Sequence, residues 1–125
     1  MLKRKDSAQE RTIFMKYMLL IYSDEATAED SPENMQRWFK YTEDLGKAGV
    51  MQGGEALQPV ATATTVRANG GDTVTTDGPF AETKEQLGGF YLLDCRDLDE
   101  AIKWAGEMPI HPRGCVEIRP VMEFE

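Results

Sequence analysis

The sequence predicts an α+β protein with one main sheet and two helices. Two segments carry apolar residues at helical spacing, and each lies between segments rich in strand-forming residues. The chain has 125 residues, of which 41% are hydrophobic and 29% charged, which is typical of one soluble domain with one core. We expect this domain to span residues 15–125. Residues 1–14 are polar without periodicity, which predicts a disordered tail.

The first strand is predicted by a nearly unbroken apolar run, Lys16-Tyr17-Met18-Leu19-Leu20-Ile21-Tyr22. Such a run is typical of a strand that is buried on both faces, because a strand with one solvent face alternates apolar and polar residues. We therefore place this strand in the centre of the sheet. Phe90–Cys95 predicts a second strand of the same mainly apolar kind.

The first helix is predicted to begin after Ser31, with Ser31 as N-cap and Pro32 at the first helical position. Gly46 and Gly49 are both candidates for its end. We interpret Trp38 as a core residue, with a ligand platform as the alternative. It belongs to a mostly apolar stripe at helical spacing, formed by Met35, Trp38, Phe39, Thr42 and Leu45.

Two strand-forming regions follow this helix. Val50–Leu57 predicts a short strand that contains Gly53 and Gly54. Glu55 comes directly after these glycines, where a backbone without side chains lets a ligand approach. Glu55 is either a site residue or a solvated glutamate on a bulge. Threonine-rich segments then flank Asn69-Gly70-Gly71-Asp72, a pattern that predicts a β-hairpin.

The second helix is predicted to begin at Asp97, as N-cap, with Glu100 three residues later as its capping partner. Pro109 and Pro112 mark its end, and we interpret His111 between them as a loop or capping residue. The predicted buried face of this helix consists of Leu98, Ala101, Ile102 and Ala105.

The last predicted strand covers Val116–Phe124, where apolar and charged residues alternate. Alternation is typical of a strand that is half exposed. Pro120 has no N–H to give to a neighbouring strand, so we expect this strand to lie at an edge of the sheet or to carry a bulge.

The stretch around Asp77-Gly78-Pro79-Phe80 concentrates turn-forming and ionisable residues between two predicted strands. Asp77-Gly78 is a strong turn signal and Pro79 fixes its own backbone angle, so the chain is expected to bend and to present Phe80 on a loop. Two interpretations are open. The stretch is either a rigid connector whose Phe80 fills a gap in the core, or one wall of a ligand site.

The order β-α-β-(hairpin)-β-α-β predicts a ferredoxin-like βαββαβ fold with an added hairpin. In this fold both helices cover the same face of the sheet. The strands at Tyr17–Tyr22 and Phe90–Leu93 are nevertheless apolar on both faces, which would leave an apolar surface in water. We therefore predict a homodimer whose interface includes one face of these two strands.

Composition excludes several classes of function. A net charge of −8 argues against direct binding of nucleic acid. Two cysteines without a CxxC motif and the single His111 predict no metal site, and we expect no cofactor. No apolar run is long enough to span a membrane, and residues 1–14 lack the apolar core of a secretory signal, so we expect a cytoplasmic protein.

Four segments together resemble the YCII-related family, in the subgroup named for its Asp-Gly-Pro-Phe (DGPF) motif. They are Lys16–Tyr22, Gly54-Glu55-Ala56-Leu57-Gln58-Pro59, the long segment from Thr76 to Gly89, and Val116-Glu117-Ile118-Arg119-Pro120-Val121. The resemblance extends from about Met15 to Phe124. It implies a dimeric α+β barrel, in agreement with the dimer that the two-sided strands predict.

The resemblance implies little about chemistry. Related dimeric barrels include small-molecule enzymes, and members of this subgroup are often encoded beside, or fused to, extracytoplasmic-function sigma factors. Better-studied relatives are proposed to use a His–Asp pair with the histidine in the first helix. This chain has no histidine there, so that proposal does not carry over.

Two functions remain open at the level of sequence. In the first, a dimer binds a small molecule in a pocket lined by carboxylates and an aromatic ring, with Asp77 or Glu55 as the candidate for proton transfer. In the second, the protein is a non-catalytic regulatory module that acts with a sigma factor. We expect Asp77, Phe80 and Glu55 to line one cavity, with Lys84 or Arg113 as counter-charge. The predicted ligand-binding set is Gly54, Glu55, Asp77, Gly78, Pro79, Phe80, Lys84 and Arg113.

Overall fold

A four-stranded antiparallel sheet with two helices forms the body of the protein, and a separate two-stranded hairpin extends from it. The computed structural model describes residues 14–27, 31–110 and 113–124. Its elements in chain order are β1 (Met15–Ser23), α1 (Pro32–Ala48), β2 (Met51–Ala56), β3 (Thr64–Asn69), β4 (Asp72–Asp77), β5 (Gln86–Cys95), α2 (Leu98–Gly106) and β6 (Cys115–Pro120). The predicted tail, apart from Phe14, and His111 lie outside the described residues.

The main sheet has the strand order β2-β5-β1-β6, with every neighbouring pair antiparallel. Strands from the two halves of the chain alternate in this order, as they do in a ferredoxin-like fold. β1 lies between β5 and β6, so its predicted central position is confirmed. β6 forms one edge, which confirms the predicted edge strand, but it begins one residue earlier than predicted, at Cys115, and ends four residues earlier, at Pro120.

Both helices begin where their capping residues predict. The Ser31 side chain accepts a hydrogen bond from Asn34 N, and the Asp97 side chain accepts one from Glu100 N. Each bond satisfies a backbone N–H that has no partner within the helix. Of the two candidate glycines at the end of α1, it is Gly49 that adopts the left-handed conformation, with φ 74°.

The core lies between the helices and one face of the sheet. Leu19 and Leu93 are completely buried there. Trp38 stacks on Tyr91 with ring centroids 6.4 Å apart, which confirms its interpretation as a packing residue. Tyr41 is also buried in this layer, and its hydroxyl donates to the Trp104 carbonyl oxygen at 2.7 Å.

The predicted buried faces of the helices are partly wrong. In α1 the buried line runs through Tyr41 and Leu45, and Met35 and Phe39 are exposed on the flank. In α2 the buried residue is Ala101, whereas Leu98 and Ile102 are each about half exposed. An apolar stripe wider than the contact with the sheet cannot be buried as a whole, and the spacing alone does not show which side of it turns inward.

The strand that follows the Asp77–Phe80 segment begins at Gln86, four residues earlier than predicted. Gly88 and Gly89 lie inside β5 rather than before it, and Gly89 pairs with Ile21 of β1. The absence of a side chain at Gly89 allows close strand contact, because a Cβ there would lie 2.8 Å from the Glu55 carbonyl oxygen. The hairpin is confirmed, with Gly70 and Gly71 in the turn at positive φ.

Candidate functional site

An open cleft of about 820 Å³ lies at the end of the main sheet where β1 leaves it and β6 enters it. This volume is within the range of small-molecule sites in proteins. Three separate parts of the chain form its walls: the end of β1, the loop before β5, and the start of β6. The lining residues are Tyr22, Asp24, Thr83, Lys84, Glu85, Arg113, Cys115 and Glu117.

Strand register places two of the cleft residues, Tyr22 and Glu117, on the face of the sheet that the helices do not cover. Tyr22 pairs directly with Cys115, and Leu20 pairs with Glu117 two residues along. Side chains of directly opposite residues share a face, so Tyr22, Cys115 and Glu117 project together. The Tyr22 hydroxyl donates to Glu117 Oε1 at 3.1 Å across the two strands.

The loop before β5 is held in place by its own side chains. Thr83 Oγ1 donates to the Glu85 carbonyl oxygen at 2.8 Å, and Gln86 Nε2 donates to the Thr83 carbonyl oxygen at 2.7 Å. Gln86 Oε1 accepts from Glu25 N at 2.9 Å on the opposite side. Gln86 therefore joins the loop that carries Lys84 to the turn that follows β1.

The turn after β1 is fixed in a similar way. Asp24 Oδ1 accepts from Ala26 N at 3.0 Å, which closes a short turn around the Asp24 side chain. Glu25 Oε2 accepts from Val60 N at 3.0 Å and so connects this turn to the 3₁₀ segment Val60–Thr62. Both rims of the cleft are thus set before any ligand binds, which lowers the entropy lost on binding.

The electrostatic environment raises the pKa of two of the lining groups, Tyr22 and Cys115. Loss of solvation on the strand and the hydrogen bond to Glu117 raise the pKa of the Tyr22 hydroxyl. Loss of solvation and the neighbouring Glu85 carboxylate, which accepts a hydrogen bond from the thiol, raise the pKa of Cys115. The raised pKa disfavours the thiolate of Cys115, which is the nucleophilic form of the side chain.

Only two of the predicted site residues lie in this cleft. They are Lys84 and Arg113, which were predicted as counter-charges to Asp77 and Glu55. Asp77, Phe80 and Glu55 are all exposed, and none of them belongs to its walls. The Phe80 side chain is 76% exposed. Phe80 therefore does not fill a gap in the core of this chain, and that interpretation of the stretch is wrong.

The Asp77–Phe80 segment forms the rigid bend that its residues predict. Gly78 has φ 96°, a conformation that favours glycine, and its N–H donates to the Ala63 carbonyl oxygen at 2.6 Å. Thr65 Oγ1 donates to the Gly78 carbonyl oxygen at 2.8 Å. Pro79 follows on an exposed loop. A contact of Asp77, Gly78, Pro79 or Phe80 with a ligand stays a prediction.

Gly54 and Gly89 have a visible role in strand packing. A Cβ at Gly54 would lie 2.8 Å from the Phe90 carbonyl oxygen and 3.0 Å from the Tyr91 ring, and one at Gly89 would lie 2.8 Å from the Glu55 carbonyl oxygen. The protein itself occupies the space beside Gly54 and Gly89, whereas nothing lies within 4 Å of a Cβ at Gly53. A contact of Gly54 or Glu55 with a ligand stays a prediction. Glu55 lies between these contacts on the edge strand β2, with its side chain in solvent.

Six of the eight residues that line this cleft were not among the predicted site residues. Glu85 and Thr83 lie within the Thr76–Gly89 stretch that was singled out, so their loop was a recognisable signal. Tyr22 and Glu117 are 95 positions apart, and only the register between β1 and β6 brings them together. The alternation in the last strand was the one hint, because it predicted that Glu117 faces solvent.

In the part of the chain that the structure describes, the side chains do not meet the requirements of a metal site, and the helices do not meet those of a membrane-spanning helix. Within residues 14–27, 31–110 and 113–124, no three His, Cys, Asp or Glu side chains form a group that could hold a metal ion. In the same part of the chain, no helix is both long and apolar enough to cross a bilayer.

The fold and the cleft define a class: an α+β protein with a ferredoxin-like sheet, one helix-free face and a polar cleft at its end. The chain belongs to the YCII-related domain family, which residues 15–125 match. It is also 42% identical over 122 residues to the uncharacterized protein R00369 of Rhizobium meliloti (strain 1021). That match covers 89% of this chain and 95% of the relative. Membership of the Asp-Gly-Pro-Phe subgroup stays a prediction.

Proposed function

We propose that the protein is a homodimer that binds a small polar metabolite in the cleft of each subunit. The observation that carries this proposal is the convergence of both signs of charge from three segments: Lys84 and Arg113 beside Asp24, Glu85 and Glu117. Such a set suits a ligand that carries an acidic group together with hydroxyl or amino groups. The cations attract the acidic group, and the carboxylates accept hydrogen bonds from the others.

The Tyr22–Glu117 pair supports acid–base chemistry as the reaction class, if the bound molecule is transformed. A carboxylate held by a neutral tyrosine hydroxyl is within reach of a ligand in the cleft and suits proton abstraction. Glu117 is our candidate for the proton acceptor, and Tyr22 is the residue that positions it. Asp77 and Glu55, the carboxylates first predicted for this role, lie outside the cleft of the same subunit.

The helix-free face of the sheet supports the dimer. The side chains of Met18, Leu20, Phe90 and Leu92 project from it and remain partly exposed in a single chain. In β-sheet proteins such a face is normally covered. Pairing of two copies through this face would form the dimeric α+β barrel that the resemblance implies.

Thermal shift against a library of small organic acids and amino acids tests the proposed binding site. A ligand near a hundredfold excess over its Kd adds about 2.7 kcal/mol of stability, which raises the Tm by several degrees. We expect Glu117→Gln and Lys84→Gln to weaken that ligand at least tenfold.

Two matched substitutions outside the cleft serve as controls. Glu123→Gln and Lys103→Gln remove the same charges from exposed positions in the last segment and in α2. They should leave the Kd within about twofold. Equal weakening by the cleft variants and the controls, or a hit that no cleft variant affects, would contradict the site.

The regulatory alternative rests on the resemblance alone. A module that acts with a sigma factor would bind that protein without any effect from Glu117→Gln or Lys84→Gln. Co-purification of the protein with a sigma factor encoded beside it, together with no hit in the ligand library, would favour this alternative over the metabolite site.

A further inference from the structure

The β3–β4 hairpin has little to hold it in a single chain. Every residue of β4 is exposed, and Thr65 is the one residue of β3 that is not. Val66 is 61% exposed and Val74 is 41% exposed. The two strands contact each other extensively and contact the helices and the main sheet little. An isolated two-stranded hairpin is marginal in water, because it has no apolar surface to bury.

The hairpin is nevertheless a rigid unit at its base. The Gly78 N–H and the Thr65 hydroxyl bond the two strands across the root, and Arg67 Nη2 donates to the Phe80 carbonyl oxygen at 3.2 Å. These bonds attach the loop that carries Phe80 to β3. We call residues 64–80 the arm. Val66 pairs with Thr75 and Val74 pairs with Arg67, so the two valines lie on opposite faces of the hairpin. A preorganised arm that exposes one valine on either face, with Phe80 at its base, is suited to contact another molecule.

We propose that the arm packs against a second copy of this chain and covers part of that copy's helix-free sheet face next to its cleft. This inference rests on the proposed dimer and adds to it the element that completes the interface. Residues 81 and 82 connect the arm to Thr83, Lys84 and Glu85 of the cleft wall. A partner seated on the arm therefore lies beside the cleft.

Interface area argues for this arrangement. Four strands about 4.8 Å apart and about 20 Å long give a face of about 400 Å², or about 800 Å² from both copies. That total is no larger than many crystal contacts, whereas stable interfaces bury about 1,200–2,000 Å². Each arm has two strands of six residues, about 200 Å² on one side. Because the sheet surface that the arms cover is already counted, the two arms add about 400 Å², which brings the sum to about 1,200 Å², the lower end of the range for stable interfaces.

Two-fold symmetry makes the contact reciprocal. In such a dimer the same patch serves both copies, so a surface that combines an arm with a receptive face is self-complementary. Each copy then covers the exposed hairpin of the other, and both marginal elements are stabilised by one association. Dimerisation would therefore bury the exposed surfaces of both the hairpin and the helix-free sheet face.

Excision of the hairpin is the direct test. Because Ala63 and Gly78 already meet in a 2.6 Å hydrogen bond, residues 64–77 can be replaced by Asn-Gly without displacing the ends. We expect the excised protein to retain the circular dichroism of a folded α+β domain and to dimerise at least a hundredfold more weakly by analytical ultracentrifugation. If the excised protein dimerises as strongly as the wild type, the proposed contact between the arm and the second copy is wrong.

Single substitutions keep the proposal testable even where the excised protein does not fold. Phe80→Gln should weaken dimerisation at least tenfold. Phe39→Gln is the matched control, since Phe39 is 62% exposed but lies on α1, away from the sheet face, and it should stay within twofold of wild type. If Phe80→Gln and Phe39→Gln change the dissociation constant of the dimer equally, the proposed role of the arm is wrong, but the proposed dimer is not contradicted. A wild-type protein that is monomeric at about 100 μM would overturn both the dimer and the arm, whereas the metabolite site would stand.

Discussion

The side chains on the two faces of the main sheet differ in how completely they are buried. On the face toward the helices, Leu19, Leu93 and Cys95 are completely buried, and Trp38, Tyr41 and Tyr91 interlock above them. On the other face Leu20, Leu92 and Phe90 are only partly covered, and the polar cleft begins beside them. Both sets come from the same strands in strict alternation.

This difference separates folding from function within one sheet. A close-packed face tolerates little change, because each removed methylene leaves a cavity. The helix-free face leaves apolar side chains partly exposed, and both the proposed metabolite cleft and the proposed dimer would use it. Matched substitutions at neighbouring positions on the two faces should therefore have unequal effects, as the following pairs predict.

The leucine pair should show the largest difference. Leu93→Ala empties a completely buried position, which should lower the free energy of unfolding by about 3 kcal/mol. Leu92→Ala, one residue earlier on the opposite face, should cost about 1 kcal/mol or less in the monomer and weaken dimerisation instead. Urea unfolding at several protein concentrations separates the two effects. Equal losses at all concentrations would mean that the two faces are equivalent.

The glycine pair should follow. An added methyl group at Gly54 meets the Phe90 carbonyl oxygen and the Tyr91 ring, so Gly54→Ala should destabilise the protein by about 1–3 kcal/mol. Nothing lies within 4 Å of the corresponding position at Gly53, and Gly53→Ala should change stability by less than about 0.5 kcal/mol. Thermal unfolding of both variants measures this. A Gly54 variant as stable as wild type would show that β2 shifts without cost.

The tyrosine pair should differ by less. Tyr41→Phe removes a buried hydrogen bond to the Trp104 carbonyl oxygen and should cost about 1 kcal/mol. Tyr22→Phe removes a bond between more exposed groups and should cost less than about 0.5 kcal/mol, while it weakens any ligand of the cleft. Denaturant melts report the first effect and ligand titrations the second. The comparison fails if Tyr22→Phe destabilises as much as Tyr41→Phe.

The cysteine pair should affect reactivity rather than stability. Cys95 is buried and should react with iodoacetamide only after unfolding, whereas Cys115 is exposed and should react in the native protein. Because the pKa of Cys115 is raised, its thiolate should form at higher pH than that of a free cysteine, and alkylation near pH 8 should be slower. Glu85→Gln removes one of the causes and should move the rate profile to lower pH. Mass spectrometry measures the labelling of each cysteine and its dependence on pH. If Glu85→Gln leaves the pH dependence of Cys115 alkylation unchanged, Glu85 does not raise the pKa of Cys115.

Local signals predicted the elements well. Ser31 and Asp97 marked the beginnings of both helices, the Asn-Gly turn marked the hairpin, and Pro120 marked an edge strand. Each of these depends on a residue and its nearest neighbours in the chain. The predictions failed where partners are remote: Met35, Phe39, Leu98 and Ile102 were expected in the core and are exposed, because the packing of a helix on the sheet decides which side of a broad stripe is covered.

The candidate site shows the same limit. The Thr76–Gly89 stretch identified the loop that carries Lys84, since turn residues and charges cluster visibly in the sequence. The assignment of Asp77, Phe80 and Glu55 to one cavity was an argument from nearby glycines, and those glycines at Gly54 and Gly89 instead let two strands approach each other.

The class of fold, the positions of caps and turns, and the two-sided apolar character of the central strands could be predicted from the residues alone, because these follow from backbone preferences and side-chain periodicity. The carboxylate that meets Tyr22 could not be predicted in this way. Glu117 reaches it through the register of two strands at opposite ends of the chain. That register is set by how all the strands and helices pack together, and a one-residue shift would turn Glu117 to the other face.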